Sequence, residues 1–255
     1  MKKSAIALSL GALILITTVA CAKKESDDLA KAQACLDNVP QSNPTAADAC
    51  YQYAEKYTSQ QANILKCSIK MTSGGMVESK VTAAYKTLKD STQTNKTAGY
   101  MAALSLDLPD INSAYGKAVV ANEFCKQSGV PGLVYISSIV VAGTYMNKVI
   151  AALSGTGTPI DINNPASMNA AVTDMLTKCN ANPPDASCTT DLPTLGAAVT
   201  TVAGSYCEKS NADQAVCASV NSAVTGANGD SAQVGQALFC YLQGHTYNTG
   251  THVCN

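Results

Sequence analysis

Apolar residues recur at spacings of three and four along most of the chain, the period of a helix with one buried stripe. Val77, Val81, Ala84, Tyr85 and Leu88 form one stripe. Ile111, Ala114, Tyr115, Ala118, Asn122 and Cys125 form a second, and Met168, Ala171, Val172, Met175, Leu176 and Cys179 a third. No alternating pattern of useful strand length is present. Boundary signals fall where the stripes begin and end. Asn43-Pro44, Asp107 with Pro109, and Asn164-Pro165 each place a cap or turn former beside a first-turn proline. Thr45 to Asp48 and Asp230 to Gln233 have capping-box spacing. Gly74-Gly75, and Gly129 followed by Pro131, are stop signals.

These signals predict an all-α fold, a multi-helix bundle or irregular α-solenoid of about eleven helices. The expected spans are 26–37, 44–57, 60–72, 76–89, 93–105, 109–127, 131–154, 165–179, 193–208, 212–225 and 230–242. Short connections make sequence neighbours antiparallel hairpins. Two loops are longer, 154–163 and the Pro183-Pro184 stretch 180–191; residues 154–164 are the candidate boundary between two subdomains. The charge-free run from Val130 to Asn147 contains Pro131, Gly132, Ser137, Ser138, Gly143 and Thr144. It reads as a central helix buried on all sides, not as a membrane span.

The first 21 residues follow a different pattern. Lys2 and Lys3 precede an uncharged stretch from Ala5 to Ala20, which ends in Thr18-Val19-Ala20-Cys21. This is the layout of an export signal. A small residue followed by cysteine at Ala20-Cys21 resembles the lipobox of bacterial lipoproteins; Thr18 stands where that family prefers Leu. The resemblance covers only this segment. It implies cleavage by signal peptidase II, acylation of Cys21 with palmitate or related chains, and attachment to a membrane by the N-terminal lipid. Ala22, in place of Asp, implies sorting to the outer membrane, on its periplasmic or its surface face. The chain then divides into a signal peptide (1–20), a short charged tether (21–28) and a helical domain (29–255).

The cysteine count agrees with export. Of eleven cysteines, setting Cys21 aside leaves Cys35, Cys50, Cys67, Cys125, Cys179, Cys188, Cys207, Cys217, Cys240 and Cys254, an even set. An exported chain with an even set reads as a disulfide framework. Cys50 and Cys67 are symmetric about the turn at Thr58-Ser59, Cys35 competes for Cys50, Cys179 and Cys188 can close the proline loop, and Cys254 can tie down the tail. Cys35, Cys50 and Cys67 on three consecutive helices echo Cys207, Cys217 and Cys240 near the other end, as an old duplication or as chance.

Charge narrows the partners. Every one of the 17 basic residues is lysine, Trp is absent, and the formal net charge is −1. Without arginine or a basic stripe, a nucleic-acid partner is not expected. The charge is nevertheless uneven. From Val149 onward two lysines face seven acids, whereas Cys21 to Lys148 holds thirteen lysines and eleven acids.

No nucleophile elbow, P-loop, zinc-protease helix or Cys-x-x-Cys occurs, so no catalytic residue or cofactor is assigned. Cys240, His245, His252 and Cys254 have the donor chemistry of a zinc site, but oxidised cysteines would spend two of the donors, and no metal is assigned. Asp107 and Asp110 fit a helix start, and Glu123 is the acid whose burial is worth checking. The expectation is a lipid-anchored envelope protein with a structural or protein-interaction role and an unidentified envelope partner. The alternative is a binding module for a lipid or small hydrophobic ligand beside the 131–154 helix.

Overall fold

A computed structural model of the chain describes residues 23–89, 96–106, 108–153, 165–208 and 214–255. The signal segment, Cys21 and the 154–164 boundary lie outside the described residues, as does Asp107. Among the described residues there are eleven α-helices and one short hairpin. The chain opens with α1 (23–37) and a 3-10 turn, Pro44–Cys50, that runs into α2 (Tyr51–Ala54). Next come α3 (Gln60–Ser73), α4 (Glu78–Lys89), α5 (Lys96–Ala103), α6 (Ile111–Gln127) and α7 (Pro131–Leu153). Then follow α8 (Pro165–Cys179), α9 (Ala186–Val202) with a π-helical turn Ala203–Cys207, α10 (Gln214–Gly226) and α11 (Ser231–Leu242). Two-residue strands β1 (Tyr247–Asn248) and β2 (Val253–Cys254) close the tail as an antiparallel pair.

Local chemistry sets several ends as the sequence predicts. Asp110 caps α6 by accepting from the amides of Asn112 and Ser113, and Asp230 caps α11 by accepting from Gln233. Gly75 and Gly129 end α3 and α6 with φ of 94° and 65°, a left-handed backbone that favours glycine. Three expectations change. The 44–57 span divides, because its first seven residues wind as a 3-10 turn. The tail carries a strand pair where no strand was expected. Helix α9 begins at Ala186, inside the expected loop, and runs through Pro193. A helix-interior proline costs about 3 kcal/mol, but here Leu192, Leu195, Ala198, Val199 and Val202 are all buried. That burial holds the helix together across the proline.

Packing runs as a succession. α3 packs on α6, α6 on α7, α7 on α9, and α9 on α11, with α4 against α5 and α10 against α11. Adjacent hairpins account for only part of this; α3 and α9 each skip at least one neighbour. One buried cluster extends from Cys67 to Tyr247, and a smaller one joins Leu29 and Ala32 of α1 to Ala54, Ala62 and Leu65. The larger cluster is continuous on both sides of 154–164.

Helix α7 is buried from Ser137 to Met146, and each of its buried polar residues is matched. Asn122 Oδ1 accepts from the hydroxyls of Ser137 (2.8 Å) and Ser138 (3.3 Å), and Thr144 Oγ1 accepts from the Leu106 amide (2.8 Å). This satisfaction is what lets a polar-flecked helix occupy a core. No helix of the described residues is long and apolar enough to cross a membrane.

The second and third stripes face the core as expected where their side chains are described. The first does not. Ala84 is buried, but Val81 is 49 % and Tyr85 61 % exposed. α4 packs mainly on the short α5, which cannot cover a full stripe. The Lys89 ammonium lies 5.6 Å above the Tyr85 ring instead.

Glycine permits the closest helix approach. A Cβ on Gly143 would lie 1.9 Å from the Met101 carbonyl oxygen, whereas one on Gly116 would meet nothing within 4 Å. Gly143→Ala should therefore destabilise by about 1–3 kcal/mol, a fall in Tm of roughly 3–10 °C for a chain of this size. Gly116→Ala should leave Tm unchanged or raised. Thermal unfolding of the two variants checks this; equal behaviour would contradict the packing.

Candidate functional site

Cys21, the expected lipidation site, precedes the described residues by two positions. The other ten cysteines are joined as Cys35–Cys50, Cys67–Cys125, Cys179–Cys188, Cys207–Cys217 and Cys240–Cys254. Of the two pairings competing for Cys50, the one with Cys35 forms. Cys50 is the last residue of the 3-10 turn, and its sulfur meets Cys35 of α1. Cys67, fully buried, reaches Cys125 on α6. In both cysteine triplets the first two members pair and the third leaves for a different element.

The N-terminal helix is held at three levels. Leu29 and Ala32 are buried, Cys35 is bonded to Cys50, and Asp28 receives Lys56 Nζ at 2.9 Å and the Tyr57 hydroxyl at 2.8 Å. The hydrogen bonds from Lys56 and Tyr57 hold the Asp28 carboxyl well below the usual carboxylate range. Helical structure begins at residue 23, inside the stretch read as a tether. Just beneath lies Lys66, buried, whose ammonium donates to the carbonyls of Glu55 (2.8 Å) and Tyr57 (2.6 Å). It also sits 5.3 Å above the Phe124 ring. Burial lowers its pKa.

Two more charged clusters tie helices together. Asp48 takes Lys70 on one oxygen (3.0 Å) and Lys117 on the other (2.6 Å), and does not cap its own helix with Thr45. Burial alone would raise its pKa, but the two ammoniums outweigh that and lower it. Between α7 and α9, Lys148 meets Asp191 at 2.5 Å and lies 4.8 Å above the Tyr115 ring. Tyr115 and Tyr145 pack at 5.5 Å, and burial pushes both phenols above their ordinary range. A phenol held neutral across physiological pH is no general base. Sequence reasoning missed these clusters because their partners stand 28, 69 and 43 residues apart, with no local signal.

The tail is built, not free. Tyr247 donates to Gln236 Oε1 and lies 2.8 Å from His252 Nδ1; burial pushes the Tyr247 phenol up to about 12. The Cys240–Cys254 bond removes two of the four donors considered for zinc. Among the described residues no group of three or more His, Cys, Asp or Glu could hold a metal ion. Glu123 is exposed and lies 3.4 Å from Lys126.

Among the described residues, three clefts open to solvent stand out. One, about 380 Å³, lies between α8 and the tail hairpin and is lined by Val172, Leu176, Asn180, Gln243, Val253 and Asn255 among others. One of about 280 Å³ flanks α7 at Val141, with Asn122, Glu123, Lys126 and Thr194 on its walls. The third lies between Gln41 and α4, beside Glu78, Ser79, Thr82 and Lys86. None brings together a nucleophile, a base and a group to orient it. The chain matches no protein-family model, no curated protein and no solved structure.

The Asp28 contacts have a testable pH range. Because the folded-state pKa is depressed, their contribution is fully present above the unfolded value of about 4 and is lost as pH falls through the lower folded value. At pH 7, Asp28→Ala should speed amide exchange in 23–37 while leaving exchange in α6, α7 and α9 unchanged. Hydrogen-exchange mass spectrometry reads both; unchanged exchange in 23–37 would mean that the contacts do not hold α1.

Proposed function

We propose that this chain is a lipid-anchored cell-envelope protein whose helical body has a structural or protein-interaction role. The observation that supports this best is the cysteine pairing. Ten cysteines are joined in five pairs, and the odd one is Cys21, at the end of the export-signal pattern. Disulfides persist in oxidising compartments, so the framework and the signal support the same location. The charged clusters fit the structural half of the reading: each spends its carboxylate on lysines of other elements, and what they achieve is cohesion. The alternative, a module for a lipid or small hydrophobic ligand, has less support. The helix expected to line such a site is packed over 137–146, and the cleft beside it at Val141 is open to solvent, with Glu123 and Lys126 on its wall.

An acyl chain contributes about 0.8 kcal/mol per buried methylene, and two or more chains make attachment effectively stable. The mature protein should therefore sediment with membranes, be released by detergent, and carry acyl mass on its N-terminal peptide. Cys21→Ser should move it to the soluble fraction with the five disulfides intact. A Cys21→Ser protein that still pellets with membranes would overturn the anchor.

A further inference from the structure

We infer that one face of the folded body, formed by the start of α1 and the turn at 55–59, rests against the bilayer surface. This rests on the reading that Cys21 is the acylated residue, and deepens it. In sequence only Ala22 separates Cys21 from Lys23, the first helical residue described. Two Cα steps span about 7 Å, and a further five helical residues to Asp28 add about 7 Å. Asp28, and with it Lys56 and Tyr57 at 2.9 and 2.8 Å, therefore lies within roughly 15 Å of the anchored residue, whereas the headgroup layer itself is roughly 5–8 Å deep.

Proximity along the chain would mean little if α1 could swing away from the body. It is fixed at its middle by Leu29 and Ala32, buried against Ala54, Ala62 and Leu65, and near its end by Cys35–Cys50. The acyl group is thus attached, through one intervening residue, to a helix that belongs to the body.

The side chains on this face suit the site. Lys31 and Lys56 keep 62 % and 55 % of their side chains exposed, and Tyr57 is half-buried with its hydroxyl on Asp28. Long lysine stems and tyrosine rings are at home where an apolar layer meets a polar one. Charge does not oppose the contact: on this face Lys23, Lys24, Lys31 and Lys56 offset Glu25, Asp27, Asp28 and Glu55.

The chain has no Trp, so a single introduced Trp reports its own position. Ser26→Trp, Thr58→Trp and Thr246→Trp all replace exposed residues. Each acylated protein is reconstituted into phosphatidylcholine vesicles carrying a dansyl-headgroup lipid, and energy transfer from Trp is read. Transfer from positions 26 and 58 should exceed that from 246 at least twofold. Inserting a flexible Gly/Ser linker of about a dozen residues before Lys23 should abolish that difference without loss of vesicle binding. Acylated, vesicle-bound protein with equal transfer from 58 and 246 would overturn the docked face. A Cys21 peptide without acyl mass would overturn the anchoring reading itself, so the two failures are told apart.

Discussion

Close approach of helix backbones is the constraint on which the rest of this structure depends. At Gly143 the α7 backbone lies under the Met101 carbonyl, and at Gly196 the α9 backbone lies equally close to the Ser231 carbonyl. Helices so near each other leave room only for small side chains, and much of the buried set is alanine and valine. Alanine contributes little apolar area per residue, and the hydrophobic term scales with that area. A core of this kind needs added cohesion, and five disulfides provide it. In the chain-entropy picture a bond closing 58 residues, as Cys67–Cys125 does, restricts the unfolded chain more than one closing 9, as Cys179–Cys188 does.

Electrostatics follows the same economy. With lysine as the sole cation, carboxylates meet point charges and not planar forks. Asp48 shares its two oxygens between Lys70 and Lys117 and so draws the 3-10 turn, α3 and α6 together. Lys66 goes further, serving carbonyls of a turn while its charge lies over an aromatic ring. These are buried or half-buried arrangements that fix how elements meet, and they use up groups that a catalytic site would need to leave available.

Much of the fold was legible because a 3.6-residue period is strong in long helices. α6 and α8 show it: Ala114, Ala118 and Cys125, and Val172, Met175 and Leu176, are buried as the period requires. Caps at Asp110 and Asp230 were readable for the same local reason. What failed was decided at long range. Val81 and Tyr85 carry a correct helical stripe, but the element that would cover them is too short. The expected span began at residue 193, yet α9 starts at Ala186 and its burial carries it through Pro193. Cys67 finds Cys125 across 58 residues, a choice that no spacing encodes. The anchor expected at Cys21 rests on a resemblance alone, since a processing signal is written in order along the chain and not in packing.

The pairing of the cysteines has one further consequence. Cys35–Cys50 and Cys67–Cys125 lie wholly before residue 154, and the other three bonds wholly after residue 164. No disulfide crosses that stretch, although the hydrophobic cluster does. Covalently the body is two independent stapled halves; thermodynamically it has one core. A chain cut between 154 and 164 would be held together only by packing, of α7 against α8, α9 and the π-helical turn and of α5 against α10, and the two pieces would separate under denaturant with every disulfide intact. The same division makes this the natural place to express the protein as two complementing fragments.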